Sequence, residues 1–190
     1  MKLINTYNQN STSFQAKYIN NANILKRTSK NVFKSLDTSF VEIDPMNIND
    51  IKALDKISQY WVDSYAVNMS YVTKAMHEGS LSTNDFKIFA LTKQLKDFNN
   101  LKSSDILGLV EITPKGKGSI HINYLQTDPE QVYAIEPDYN KIGSRILDSL
   151  KNLYNTITLR PIPGGVVKFY EKNEFLPTKE NPKVYKWTKY

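Results

Sequence analysis

Ser119-Ile-His-Ile-Asn-Tyr-Leu-Gln-Thr127, a polar loop from Asp128 to Asn140, Lys141-Ile-Gly-Ser-Arg-Ile-Leu-Asp-Ser-Leu150 and Thr156-Ile-Thr-Leu159: this succession decides the fold. The first segment alternates apolar and polar residues, as a strand does. In the third, Ile142, Ile146, Leu147, Leu150, Leu153 and Tyr154 recur at helical spacing, which predicts a helix from Gly143 to Tyr154. A short strand follows almost at once. Strand, crossover helix and strand of this length make a βαβ unit, so the two strands run parallel. A glycine at the helix start, after a polar loop, marks a helix N-terminus that can receive an anion, because its first N–H groups are unpaired.

Upstream of this unit the pattern is different. Phe86–Thr92, Ile106–Thr113 and Ser119–Thr127 read as three strands joined by short loops, hence an antiparallel meander. Ile106–Thr113 is almost continuously apolar, as a strand in mid-sheet is. Before them stand two predicted helices, 48–61 and 65–78, preceded by a short strand at Phe40–Ile43. Asn47 is placed to cap the first helix and Gly79 to end the second. After Thr156–Leu159 come a Pro/Gly break, a short helix over Val166–Lys172 and a closing strand over Lys183–Thr188. The expected class is α/β with a mixed sheet, in the order β-α-α-β-β-β-α-β-α-β.

Residues 1–38 differ from the rest. They are Asn- and Ser-rich, carry a net charge of +5, and leave +1 for residues 39–190. We expect a loosely ordered polar arm over 1–38, with a short strand or helical turn near Ala22–Lys26, and one domain over 39–190. The basic arm raises a nucleic-acid reading, but the chain has just three arginines, and Phe14, Tyr18 and Phe33 are too scattered for a stacking platform. Cysteine is absent and the only histidines are His77 and His121, which excludes thiolate nucleophiles and argues against a zinc site. No apolar run approaches the ~20 residues of a membrane span. The N-terminus lacks the apolar segment of a secretory signal, so a cytoplasmic protein is expected.

The element order, taken with Phe169-Tyr-Glu-Lys-Asn-Glu-Phe-Leu-Pro177, resembles the GNAT superfamily of acyl-CoA-dependent N-acyltransferases. That family carries Phe-Tyr-x-Lys-x-Gly-Phe-x-Pro there; Phe169, Tyr170, Lys172, Phe175 and Pro177 match, and Glu174 replaces the glycine. The likeness spans about residues 40–190. It implies a GNAT-like domain, a central mixed sheet with helices on both faces. The family's coenzyme motif, Gln/Arg-x-x-Gly-x-Gly/Ala, falls on Asp138-Tyr-Asn-Lys-Ile-Gly143. Gly143 stands at the second glycine, Lys141 at the first and Asp138 at the Gln/Arg position. The Asn that often precedes the Phe-Tyr helix is Pro163 here.

The resemblance implies acetyl-CoA as co-substrate, with no metal, and an amine as acceptor. The pyrophosphate would lie at Lys141, Ile142, Gly143, Ser144 and Arg145, with close approach allowed by Gly143. The thioester carbonyl would meet a backbone N–H where the central strand splays, at Leu125, Gln126 and Thr127. Tyr170 would protonate the departing thiolate. His121, Glu111 and Glu130 are the candidate bases for the amine. Strand alternation puts His121, Asn123 and Leu125 on one face and Ile120, Ile122, Tyr124 and Gln126 on the other. The acceptor is expected beside the region between the two early helices, and the last strand is open to pairing across a homodimer. Two other readings remain: a non-catalytic binding or regulatory module of the same fold, and a nucleic-acid-associated protein using its arm.

Overall fold

The computed structural model describes residues 15–61, 64–162, 164 and 166–189. Its nine strands form one sheet in the order β6-β1-β2-β3-β4-β5-β7-β9-β8. The strands are β1 (Lys17–Ser29), β2 (Val32–Glu42), β3 (Lys87–Thr92), β4 (Ile106–Pro114), β5 (Ser119–Thr127), β6 (Tyr139–Asn140), β7 (Thr156–Leu159), β8 (Leu176–Pro177) and β9 (Tyr185–Thr188). Five α-helices accompany them: α1 (Ile48–Tyr60), α2 (Ser64–His77), α3 (Pro129–Tyr133), α4 (Ile142–Leu153) and α5 (Val166–Lys172).

The meander and the βαβ unit are both present. β3, β4 and β5 pair antiparallel, and β5 pairs parallel with β7 through Ser119–Ile122 against Thr156–Leu159. Two apolar layers sandwich the sheet. On one face Ile142, Ile146, Leu147 and Leu150 of α4, with Phe175, cover Phe89, Val110, Ile112, Ile120 and Ile122. On the other, Leu54 and Ile57 of α1 and Ala66 and Met69 of α2 cover Val41, Ile88, Ala90 and Leu109. The apolar run in β4 is explained by burial on both faces.

Four expectations are corrected. Residues 17–38 are not a loose arm: β1 and β2 form a hairpin, turning at Asn31 with φ +61°. β2 runs across the expected domain boundary and pairs with β3. Polar and charged composition concealed the hairpin because its outer part is largely solvent-exposed on both faces; within it only Ala22, Ile24 and Thr38 to Val41 are buried. The element order therefore gains β1, and the polar loop contributes α3 and β6, followed later by β8. The closing strand is not a free edge, because β9 lies between β7 and β8.

The fourth correction concerns β5. Glu111 stands opposite Tyr124 while Ile112 stands opposite Ile122, so Asn123 is an extra residue in the strand. Such a bulge reverses the alternation. Ile120 and Ile122 face α4, and so does Leu125, whereas Tyr124 joins the α1–α2 layer. The uninterrupted alternation expected from sequence does not survive past residue 122.

Candidate active site

The site forms where β5 loses its neighbour. The β5–β7 ladder ends at Ile122 and Leu159, yet β5 continues to Thr127 against β4. Asp128 gives its N–H to Leu107 of β4 (2.9 Å). Peptide groups alternate along a strand, so Leu125 and Thr127 turn theirs toward the side that β7 has left. This opening leads into a cleft of about 750 Å³ lined by, among others, Tyr65, Leu125, Thr127, Tyr139, Phe169 and Tyr170. Lys141, Ile142, Gly143 and Ser144 close its other end.

That end is the start of α4. Lys141 is the N-cap and adopts the left-handed conformation, φ +68°, that favours glycine. Glu174 also has φ +66°. These are the two positions where the family pattern carries glycine and this chain does not. Both residues hold the left-handed backbone conformation that glycine favours. Arg145 gives its N–H to the Lys141 carbonyl (3.0 Å), the first turn of the helix ladder. The N–H groups of Ile142, Gly143 and Ser144 precede that ladder and are the ones a helix leaves for a ligand.

Gly143 is closely packed. A Cβ there would lie 3.0 Å from Phe169 Cζ and 3.7 Å from Leu125 Cδ2. The ring of Phe169 in α5 lies so close to the α4 N-terminus that a side chain at 143 would have to displace it by a few tenths of an ångström. Arg145 departs from expectation. Its Nε donates to Asn23 O of β1 (2.7 Å) and its Nη1 to Asp148 (2.8 Å), so the side chain ties α4 to the hairpin. Gln126 is almost fully buried; its Oε1 accepts the Ala66 N–H at the start of α2 (2.9 Å). Its side chain therefore braces α2.

Tyr170 lines the cleft with Tyr65. Its ring meets Phe169 and Phe175 edge-on. Burial, with Tyr65 adding to it, pushes its hydroxyl up to about 12, so it holds its proton at any ordinary pH. A hydroxyl held in the protonated form can donate to a leaving group.

The candidate bases lie off the cleft. Glu111 is 2% exposed, and burial raises its carboxyl while a hydrogen bond from Asn123 Nδ2 (2.9 Å) opposes the rise. Its Oε2 is enclosed without a partner. Its strand partner Tyr124 stacks on Tyr65 at the cleft, centroids 4.9 Å apart. His121 is farther away, four residues before Leu125, or roughly 13 Å along a strand. His121 Nδ1 shares a hydrogen bond with Thr158 Oγ1 (2.9 Å), and the Thr158 hydroxyl also lies 3.2 Å from Ile120 O. Burial, then Lys115 and Arg160, lower its pKa. Glu130 is the residue after Pro129 in α3, and its N–H is held by the Asp128 carboxylate (3.0 Å). Pro163 lies outside the described residues. Sequence reasoning did not single out Tyr65, Tyr139 or Pro129, Gln131, Val132 and Tyr133 of α3 as lining residues, and it read Phe169 only as part of the family run.

No protein-family model matches the sequence, and no curated protein sequence does. Solved structures do match. An assigned acetyltransferase from Exiguobacterium sp. 255-15 aligns over 80% of this chain and 94% of its own, at 14% identity and a TM-score of 0.50. A GNAT-family acetyltransferase from Staphylococcus aureus MU50 aligns over 80% and 98%, at 13% identity and a TM-score of 0.48. The Campylobacter jejuni N-acetyltransferase PseH, in complex with acetyl coenzyme A, aligns over 80% and 99%, at 16% identity and a TM-score of 0.45. The chain has the fold of the GNAT N-acetyltransferases: a mixed sheet with helices on both faces, split beside its central strand. At these identities the likeness is one of fold.

Proposed function

We propose that the protein is an N-acetyltransferase that moves an acetyl group from acetyl-CoA to an amine by direct attack on the thioester. The observation that carries this is a single cleft joining the split beside β5 to the N-terminus of α4, with Tyr170 on its wall. The α4 N–H groups of Ile142, Gly143 and Ser144, with the Lys141 cation, suit the coenzyme's pyrophosphate. The unpaired N–H groups of Leu125 and Thr127 suit the thioester carbonyl, whose oxygen gains charge as the amine adds.

The amine nitrogen forms the new C–N bond, the C–S bond breaks, and the departing sulfur takes the Tyr170 hydroxyl proton. The amine's own proton leaves to water in the cleft, and Glu111, whose strand partner Tyr124 stacks on Tyr65 at the cleft wall, is the carboxylate assigned to take it up. His121 holds β5 to β7 through Thr158 in this scheme. No covalent enzyme intermediate is required, in keeping with the lack of cysteine.

The test is thermal stability with acetyl-CoA. A ligand at 100 times its dissociation constant adds about 2.7 kcal/mol. A rise in melting temperature with acetyl-CoA supports the reading; no rise at millimolar coenzyme overturns it.

A further inference from the structure

The loop that precedes α4 runs along β1, the strand next to β6 at the edge of the nine-stranded sheet. Among the described residues it is held by the N-terminal hairpin. β6 pairs with β1 through Leu25–Asn140 and Lys26–Tyr139. Arg27 then takes the adjoining stretch in three ways. Its backbone N–H donates to Asp138 O (2.7 Å). Its guanidinium donates to the Glu136 carboxylate and to the Glu136 carbonyl. The same Nη2 reaches the Asp138 carboxylate at 3.2 Å. From the other side, Gln131 Oε1 accepts the N–H groups of both Asp138 (2.9 Å) and Tyr139 (3.0 Å).

These contacts end one residue before the strained one. A non-glycine residue in the left-handed conformation costs roughly 1–2 kcal/mol, and it persists where its surroundings over-determine it. Lys141 is that residue, and its N–H is accepted by Asn140 Oδ1 (3.1 Å), inside β6. The direction in which Ile142, Gly143 and Ser144 present their N–H groups follows from the Lys141 backbone. The Arg27 side chain is 19% exposed, whereas the Glu136 and Asp138 carboxylates are 56% and 68% exposed, so its hydrogen bonds to the loop backbone matter more than the ion pairs. Two carboxylates, Glu136 and Asp138, would otherwise stand unneutralised beside a site for an anion.

We infer that Arg27 is a positioning residue for coenzyme binding: it clasps the 136–138 stretch to β1, fixes the left-handed turn at Lys141, and so aims the α4 N-terminus at the pyrophosphate. The hairpin is thereby a working part of the coenzyme site. This inference rests on the acetyl-CoA reading above. It also gives Asp138 a reason to be acidic where the family pattern has Gln or Arg: the cation arrives from β1.

The full chain, as Arg27→Met, Arg27→Lys and Lys30→Met, tests this with two readouts. Calorimetry gives the dissociation constant for acetyl-CoA, and amide hydrogen exchange reports residues 138–142. Arg27→Met is expected to weaken acetyl-CoA about tenfold and to speed exchange at 138–142 while the amides of β3 and β4 keep their protection. Arg27→Lys, which cannot hold a carboxylate and a carbonyl together in a fork, falls between. Lys30→Met removes a hairpin charge without touching the loop and leaves both readouts unchanged. Equal affinity in Arg27→Met and wild type overturns the inference, as does equal exchange at 138–142. Equal weakening by Lys30→Met also overturns it, in favour of a diffuse charge effect. If wild type binds no acetyl-CoA, the coenzyme reading itself falls, and the exchange arm alone then decides whether Arg27 orders the loop.

Discussion

In the proposed reaction Tyr170 and Glu111 would divide the proton chemistry between them by environment. Tyr170, pushed up to about 12 by burial, stays protonated and would be ready to meet the sulfur. Tyr170→Phe is expected to lower kcat by roughly 10²-fold or more with a smaller change in KM, measured by steady-state kinetics on an acceptor amine. The alkaline limb of the wild-type profile should not reflect Tyr170 below about pH 12. Glu111→Gln should lower kcat by roughly 10²-fold, whereas His121→Asn should change it only a few-fold. A larger loss in His121→Asn than in Glu111→Gln reverses the assignment of the base. Tyr170 was legible in the sequence through its place in the Phe169–Pro177 run. The separation of His121 from the cleft was not, because the Asn123 bulge that re-aims Tyr124 and Leu125 arises from pairing with β4.

The α4 N-terminus shows the same division. Its existence follows from apolar spacing, and the glycine at 143 is visible at once. The close contact of that glycine with Phe169, 26 residues away in sequence, is not visible there. Gly143→Val should drive the ring off α4 and destabilise by about 1–3 kcal/mol, the usual cost of overpacking, with partial recovery in Gly143→Val/Phe169→Leu. Thermal or urea unfolding reads both. At the N-cap the sign is opposite. Lys141→Gly relieves a left-handed lysine and should stabilise by about 1 kcal/mol. For a chain of 190 residues that is a rise of about 2–4 °C. An unchanged or lower melting temperature would mean that the lysine side chain contributes more than the turn costs. Lys141 and Glu174 depart from the family pattern by residue type, and both hold the left-handed backbone that glycine favours, which only the coordinates display.

Across the molecule, pH acts through buried carboxylates. Asp50, fully buried at the start of α1, accepts from Asp44 N–H (2.9 Å) and from Asn47 Nδ2 (3.0 Å). Burial nevertheless raises it from 3.8 to about 7. A carboxyl raised in the folded state binds its proton more tightly there than in the unfolded chain. Folding stability from this group therefore falls as pH rises from 3.8 to about 7, by up to about 1.4 kcal/mol for each pH unit. Asp50→Asn, a stand-in for the protonated form, should flatten that part of the stability–pH curve in urea titrations. An unaltered slope would place the titration elsewhere.

The sequence alone determined the local elements whose periodicity comes from burial in a regular layer: α1, α2, α4, the β3–β5 meander and the parallel β5–β7 crossover. Such patterns are written residue by residue, since each buried position must be apolar. The Phe169–Pro177 run, taken with the element order, carried the family resemblance. Tertiary structure decided what depends on partners distant in the chain: the hairpin β1–β2, built from polar residues that are exposed on both faces over much of its length; the reversal of facing at Asn123; and the attachment of the α4 loop to Arg27. A strand's hydrogen bonds are made by backbone groups that every residue shares. Their partners, unlike a helix's, lie far away in sequence, so local composition does not disclose them.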